Sequence, residues 1–274
     1  MSLPRLVATD LDGTLLDADG AVSARTREVL LELDRRGVPV VFVTGRPLRW
    51  MSDLWAEVGG HGLAVCSNGA IVYDVAAGAV RAAHGLPGEV LHEVATLLRE
   101  RLPGTVVALE TVEGFARETA WQGHDRRTDP GDVRVVDDLR RFGTDGPATV
   151  KLLARLDGAD PEDFWRRATE VVGDLATVTW SSTFALVEIS APGVTKASTL
   201  AGLCDDLGVA AMDVMAFGDM PNDIPMLAWA GRGCAMADAH PAVQEAADEV
   251  VGHHDEDGVA TALAAVFGLA GWPA

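Results

Sequence analysis

Short apolar runs that each stop at a polar loop, with helical periodicity between them, set the frame within which this chain must fold. Leu6-Val7-Ala8-Thr9 is the first and ends at Asp10; Val38 to Val43 and Leu63 to Cys66 follow. Runs of six residues or fewer bounded by polar signals read as buried strands. Between them, Ser23 opens a helical pattern to about Arg36, with Val29, Leu30 and Leu33 on one face and Gly37 as its stop. A second helix is expected near Leu48 to Val58. Strands alternating with helices imply a parallel sheet with crossover helices, an α/β fold of the doubly wound, Rossmann-like kind.

The rhythm then breaks. Ala70 to Tyr73 and Ala79 to Ala82 flank Gly78 as a hairpin would. Gly/Pro-bearing stretches at His84 to Gly88 and Ser190 to Gly193 read as linkers around residues 84–190. That insert reads as α+β. It carries helices near Glu89 to Arg101 and Glu162 to Val172, strands near Val106 to Leu109, Phe115 to Arg117 and Val150 to Ala154, and two strands spanning Val178 to Ile189. Beyond it the alternation resumes. A helix is expected from Thr195 to about Leu207, a strand at Val214 to Phe217 and a helix at Pro221 to Ala230. A strand near Gly233 to Met236, a helix from Pro241, a strand at Glu249 to Val251 and a helix from Gly258 follow. Residues 1–83 and 191–274 are therefore expected to form one core domain, interrupted by a second domain at 84–190.

Charge excludes some partners. The 274 residues carry 22 Lys+Arg against 41 Asp+Glu, a net charge of −19. Nucleic acids and anionic membranes need a basic footprint that such a chain lacks. The first residues run straight into a strand-like segment with no signal-peptide core, and no apolar run approaches a membrane span. Cys66, Cys204 and Cys234 lack CxxC spacing and sit in apolar stretches, as buried thiols in a reducing compartment would. A cytoplasmic location is expected.

Three strands end in polar signatures: Asp10-Leu11-Asp12-Gly13-Thr14, Thr44-Gly45-Arg46, and Gly218-Asp219-Met220-Pro221-Asn222-Asp223. Ligands bind outside the carboxyl ends of strands in open parallel sheets, so these loops should converge, with Lys196 added from a helix start. In this order the four pieces resemble the motifs of the haloacid dehalogenase superfamily. The 84–190 insert resembles the type 2 cap of its Cof-like phosphatases, and Ser67-Asn68-Gly69-Ala70 is similar to the same subfamily.

The resemblance implies a phosphatase for a small phosphorylated metabolite, such as a sugar phosphate. In it Asp10 is the nucleophile that forms an aspartyl-phosphate. Asp12 protonates the leaving oxygen and later activates water. Anions repel: at about 4 Å and an effective dielectric near 20, each like-charge pair costs about 4 kcal/mol. Mg2+ is the implied remedy, held by Asp10, Asp219 and the Asp12 backbone carbonyl, with Asp223 acting directly or through a water. Lys196 and Thr44 are expected on the phosphoryl group, Gly45 and Arg46 along the substrate loop, and Asn222 as an orienting residue. A phosphomutase of the same fold and a non-catalytic phosphometabolite-binding protein are the alternatives. Lys151 reads as a residue snorkelling on a cap strand. Trp121, His124, Arg126 and Arg127 read as a polar cap loop, and His253-His254-Asp255 lacks the spaced partners of a metal site.

Overall fold

The computed structural model describes residues 3–57, 62–121, 133–136 and 148–269. The first apolar run forms β1 (Leu6–Thr9), every residue of it buried. Then come α1 (Ala24–Arg35), β2 (Val40–Val43), α2 (Ser52–Glu57), β3 (Leu63–Cys66), β4 (Ile71–Asp74) and β5 (Ala79–Ala83). The second group is α3 (Gly88–Arg101), β6 (Val106–Thr111), β7 (Phe115–Glu118), β8 (Val133–Val136), β9 (Thr149–Arg155), α4 (Pro161–Val172), β10 (Thr177–Thr179) and β11 (Leu186–Ser190). The last is α5 (Lys196–Leu207), β12 (Val214–Gly218), α6 (Ile224–Trp229), β13 (Arg232–Ala235), α7 (Pro241–Ala246), β14 (Glu249–Val250) and α8 (Gly258–Phe267).

The first and last groups build one eight-stranded sheet in the order β14-β13-β12-β1-β2-β3-β4-β5. Strands β14 through β3 are parallel, and the β4–β5 hairpin continues the sheet antiparallel. From β1 the chain first builds outward through β2 and β3, then returns to add β12, β13 and β14 on the other side. That makes the β1/β12 boundary the topological switch point, where such sheets open a crevice. Thr9 pairs with Phe217, so the next residues, Asp10 and Gly218–Asp219, leave the sheet side by side. Apolar residues from the strands and from α1, α5, α6 and α8 form one core.

The second sheet has the order β10-β11-β9-β6-β7-β8 and is antiparallel except for β7 with β8. Its strands alternate with period 2. Val107, Leu109, Leu152, Ala154, Val187 and Ile189 pack with α3 and α4 through Leu91, Leu98 and Phe164. The intervening residues Glu110, Lys151, Leu153, Leu186 and Glu188 point the other way and line a cleft with the strand ends of the first sheet.

Several expectations change in detail. The helix expected near Leu48 to Val58 is a tight turn at Leu48–Trp50 followed by α2, and Val58 lies outside the described residues. Pro221–Asp223 forms a tight turn, and α6 starts only at Ile224. Strand β8 was not foreseen from its four residues. The three cysteines are free and buried, and burial pushes the Cys66 thiol up to about 12.

Candidate active site

Asp10 caps a five-residue turn, Leu11–Leu15, its carboxylate accepting the Leu11 N–H at 2.7 Å. Within that turn Gly13 sits at φ +73, and a Cβ there would lie 2.4 Å from an Asp219 oxygen. Glycine is thus required twice over, for its backbone angle and for the approach of the Asp219 carboxylate. Thr14 Oγ1 donates to that carboxylate at 2.9 Å and ties the first loop to the one after β12.

Lys196 is the first residue of α5. Thr195 and Ser198 form a reciprocal capping box around the helix start, fixing where the lysine leaves the backbone. Its ammonium reaches Asp10 at 2.9 Å and Asp223 at 2.7 Å, and the side chain is 1% exposed. Burial opposes its charge, but the Asp10 and Asp223 carboxylates outweigh it and hold the lysine above its usual pKa.

Asp10, Asp219 and Asp223 can each direct one oxygen to within 4.8 Å of the others. Burial, with Asp223 and Asp219 nearby, raises the Asp10 carboxyl well above the usual range despite Lys196. Burial and Asp223 push Asp219 up to about 7. Three buried or half-buried carboxylates around a single lysine leave two negative charges uncompensated when all ionise. Hard oxygen donors with that surplus fit a divalent cation such as Mg2+. Among the described residues, this is the His/Cys/Asp/Glu group with metal-site geometry.

Asp223 stands apart in this trio. Its Oδ1 accepts from Lys196, and its Oδ2 accepts from the Asp219 and Met220 backbone N–H groups at 3.1 Å each. It shapes the loop, and a Cβ on Gly218 would lie 2.5 Å from its own. Both oxygens being engaged favours the indirect alternative, contact with a cation through a water.

Thr44 is buried, and its hydroxyl accepts the Arg46 N–H at 3.0 Å, leaving its own proton to donate. Arg46 lines the cleft and is 7% exposed. Its guanidinium grips Asp12 with two bonds, 2.6 and 2.5 Å, a fork-to-fork pair. The Asp12 side chain itself is 61% exposed at the cleft mouth.

The cleft measures about 350 Å3 and brings together Asp10, Asp12, Thr44, Gly45, Arg46 and Asn222, with Trp50 and Met220 beside them. The sheet of the insert supplies the facing wall, and here Lys151 corrects its sequence reading. It does not snorkel to water: it is 1% exposed, donating to Glu188 at 2.5 Å and to the Gly45 carbonyl at 2.8 Å. Glu188, Ser181 and Asn68 were likewise not singled out as site residues. The missed signal was a lone Lys and a lone Glu at the centres of apolar strands, where a charge requires a partner.

Among the other candidates, Trp121 is buried against Phe115 at 6.4 Å between ring centroids. His124, Arg126 and Arg127 lie outside the described residues. His253 and His254 face Asp238.

A family model described as haloacid dehalogenase-like hydrolase matches residues 7–263. The chain belongs to that family. A Haemophilus influenzae protein provisionally named a phosphatase is 31% identical, covering 98% of this chain and 99% of its own. The 5-amino-6-(5-phospho-D-ribitylamino)uracil phosphatase YitU of Bacillus subtilis is 28% identical, covering 97% and 98%. The crystal structure of a haloacid dehalogenase-like hydrolase from Bacteroides thetaiotaomicron superposes with a TM-score of 0.74 at 25% identity, over 97% of this chain and 100% of that one.

Proposed function

We propose that this chain is a Mg2+-dependent phosphatase of small phosphorylated metabolites, sugar phosphates or similar esters, acting through an aspartyl-phosphate on Asp10. The observation that carries the reading is the trio of carboxylates around Lys196, of which Asp10 lines the cleft. Family membership supports hydrolysis of phosphate esters, and the cleft's size suits a small metabolite. Residues 84–190 serve as the cap that supplies the cleft's second wall. Buried free thiols and the absence, among the described residues, of a helix long and apolar enough to cross a membrane support a cytoplasmic setting.

Asp10 and Asp219 would hold the Mg2+ ion, with the Asp12 carbonyl, and Asp223 through a water. Bound there, the ion supplies charge neutralisation for the approaching phosphate. Asp10 attacks phosphorus as the bond to the leaving oxygen breaks, and Asp12 gives that oxygen a proton. In the second step Asp12 takes a proton from water as the water oxygen attacks phosphorus and Asp10 is released. Two of the three Lys196 N–H donors hold Asp10 and Asp223, and the third would serve a phosphoryl oxygen together with the Thr44 hydroxyl. Arg46 holds both Asp12 oxygens, so Asp12 must slip its fork to act on the leaving group.

The direct test is phosphate release from a small aryl phosphate with and without Mg2+. Turnover that requires the ion and disappears in Asp10→Asn supports the reading. No turnover by wild type, or turnover unchanged in Asp10→Asn, overturns it.

A further inference from the structure

Four polar side chains run in a hydrogen-bonded line from the cap sheet to the turn after β12. The charge at one end dictates the orientation of every amide after it. Glu188 is buried; burial opposes its charge, yet Lys151, Asn68 and Ser181 hold its carboxyl below the usual range. An ionised carboxylate only accepts hydrogen bonds. Its Oε1 accepts from Lys151, so its Oε2 draws donors: Asn68 Nδ2 at 2.8 Å and Ser181 Oγ at 2.9 Å. Asn68 Nδ2 also donates to Thr179 Oγ1 at 3.0 Å.

With its NH2 committed to the cap, Asn68 turns its Oδ1 to the core, where it accepts from Asn222 Nδ2 at 3.0 Å. Asn222 is then left with its carbonyl oxygen. That atom is buried and has no protein partner, on a residue that is 7% exposed and lines the cleft. Neither amide can flip: reversing Asn68 would set its carbonyl against the Glu188 carboxylate and its NH2 against that of Asn222. A buried acceptor left empty is costly, so the site is built for a donor that arrives from outside the protein.

We propose that Lys151 and Glu188 are positioning residues of the cap. Through Asn68 they lock the Asn222 amide so that its carbonyl oxygen accepts from an O–H donor brought with the substrate. The proposal rests on the phosphatase reading of the cleft. Two donors share the required chemistry, a hydroxyl of the leaving group and a water carried by the cation. Lys151 also holds the Gly45 carbonyl, so the same cap residues brace the loop that carries Thr44 and Arg46.

The test is a set of kcat/KM measurements, with Mg2+ present, on an aryl phosphate lacking hydroxyls and on a polyhydroxylated sugar phosphate. Wild type, Glu188→Gln, Asn222→Ala and the double variant are compared, and Glu188→Gln is repeated in an Asn68→Ala background. Each single variant is expected to lose roughly tenfold on the sugar phosphate, and the double no more than the worse single. In the Asn68→Ala background Glu188→Gln should change the rate by less than about twofold, because the relay is already cut. A double variant losing the product of the two single losses, or a Glu188 effect indifferent to Asn68, overturns the relay. So does an Asn222→Ala enzyme as fast as wild type on both substrates.

The two substrates separate the donors. Loss confined to the sugar phosphate marks a substrate hydroxyl; equal loss on both, with a higher Mg2+ requirement, marks the water. Should Glu188→Gln fail to fold, Lys151→Met/Glu188→Met replaces it in the same cycle, since apolar replacements of buried ion pairs are commonly tolerated. If wild type releases no phosphate from either substrate, the phosphatase reading falls and the relay with it. Wild-type turnover with an additive cycle removes the relay alone.

Discussion

Two lysines occur in the whole chain, and both are buried: Lys151 lines the cleft, and Lys196 bonds Asp10, which lines it too. Lys196, on the core side, faces Asp10 and Asp223, with Asp219 nearby. Lys151, on the cap side, pairs with the Glu188 carboxylate and also donates to the Gly45 carbonyl, and the remaining Glu188 contacts are neutral donors. The shifts run in opposite directions as a result. Burial and like charges raise Asp10 and Asp219, whereas at Glu188 the lysine and the neutral donors overcome burial and lower the carboxyl. The core cluster is short of positive charge and suits a dication and a reaction; the cap cluster is complete and suits holding geometry.

The sharpest way to break this contrast is to remove the reacting group. Asp10→Asn keeps the side chain's shape and removes the proposed nucleophile, so turnover should fall by roughly 10⁴-fold or more, measured as phosphate release under saturating Mg2+. No cap substitution that leaves the fold intact should approach that loss. A cap variant matching it would erase the division of labour.

Stability ranks the two sides the other way. Lys151→Met strands Glu188 as a buried charge without its counter-ion, which typically costs about 3–5 kcal/mol. Replacing both partners by Met should restore most of that, read as denaturation midpoints with and without Mg2+. The cost should be independent of the ion, because the cap cluster contains no site for one. A Lys151→Met penalty that Mg2+ relieves would tie the two clusters together electrostatically.

Metal removal acts on the core cluster alone. With Asp219 near 7 in the metal-free fold against about 4 unfolded, the native state binds more protons between those values. The Asp219 contribution to the stability of the metal-free protein should therefore fall as pH rises from about 4 to about 7. Bound Mg2+ removes that slope and adds about 2.7 kcal/mol when present at one hundred times its dissociation constant. Unfolding midpoints at pH 5 and pH 8, in chelator and in Mg2+, give the comparison. A slope unaffected by the ion would place it elsewhere.

The two clusters also differ in how far the sequence revealed them. Asp10, Thr44 and Asp219 follow strands whose apolar runs end abruptly, and in a parallel sheet such ends face one crevice whatever the exact register. Their convergence needed only the element pattern. Lys151 and Glu188 lie 37 residues apart on strands that meet Asn68, from the other sheet, only after the insert folds back. Alternation in β9 and β11 shows that both face away from the helices. It does not show that this face meets the ends of β2 and β3, because that depends on the two linkers. Strand β8 was hidden for a related reason: its four residues are half-buried or exposed, so no apolar period marks them.

Ser181→Ala tests the cap cluster at its mildest. The hydroxyl gives Glu188 one neutral hydrogen bond at 2.9 Å, so its removal should cost about 1 kcal/mol at pH 7. Glu188 has a lowered folded pKa, so its ionised contacts contribute fully above the ordinary carboxyl value, about 4.3, and are lost as pH falls through the folded value. The variant holds the ionised form less tightly and has less to lose on acidification. The gap between wild type and Ser181→Ala should therefore narrow as pH falls through the folded Glu188 value, below the ordinary one, with no counterpart near pH 7, where Asp219 titrates. Urea midpoints at pH 3.5 and pH 7 decide it. A gap that stays constant or widens in acid would mean that the hydroxyl supports packing and that Lys151 and Asn68 alone hold Glu188 ionised.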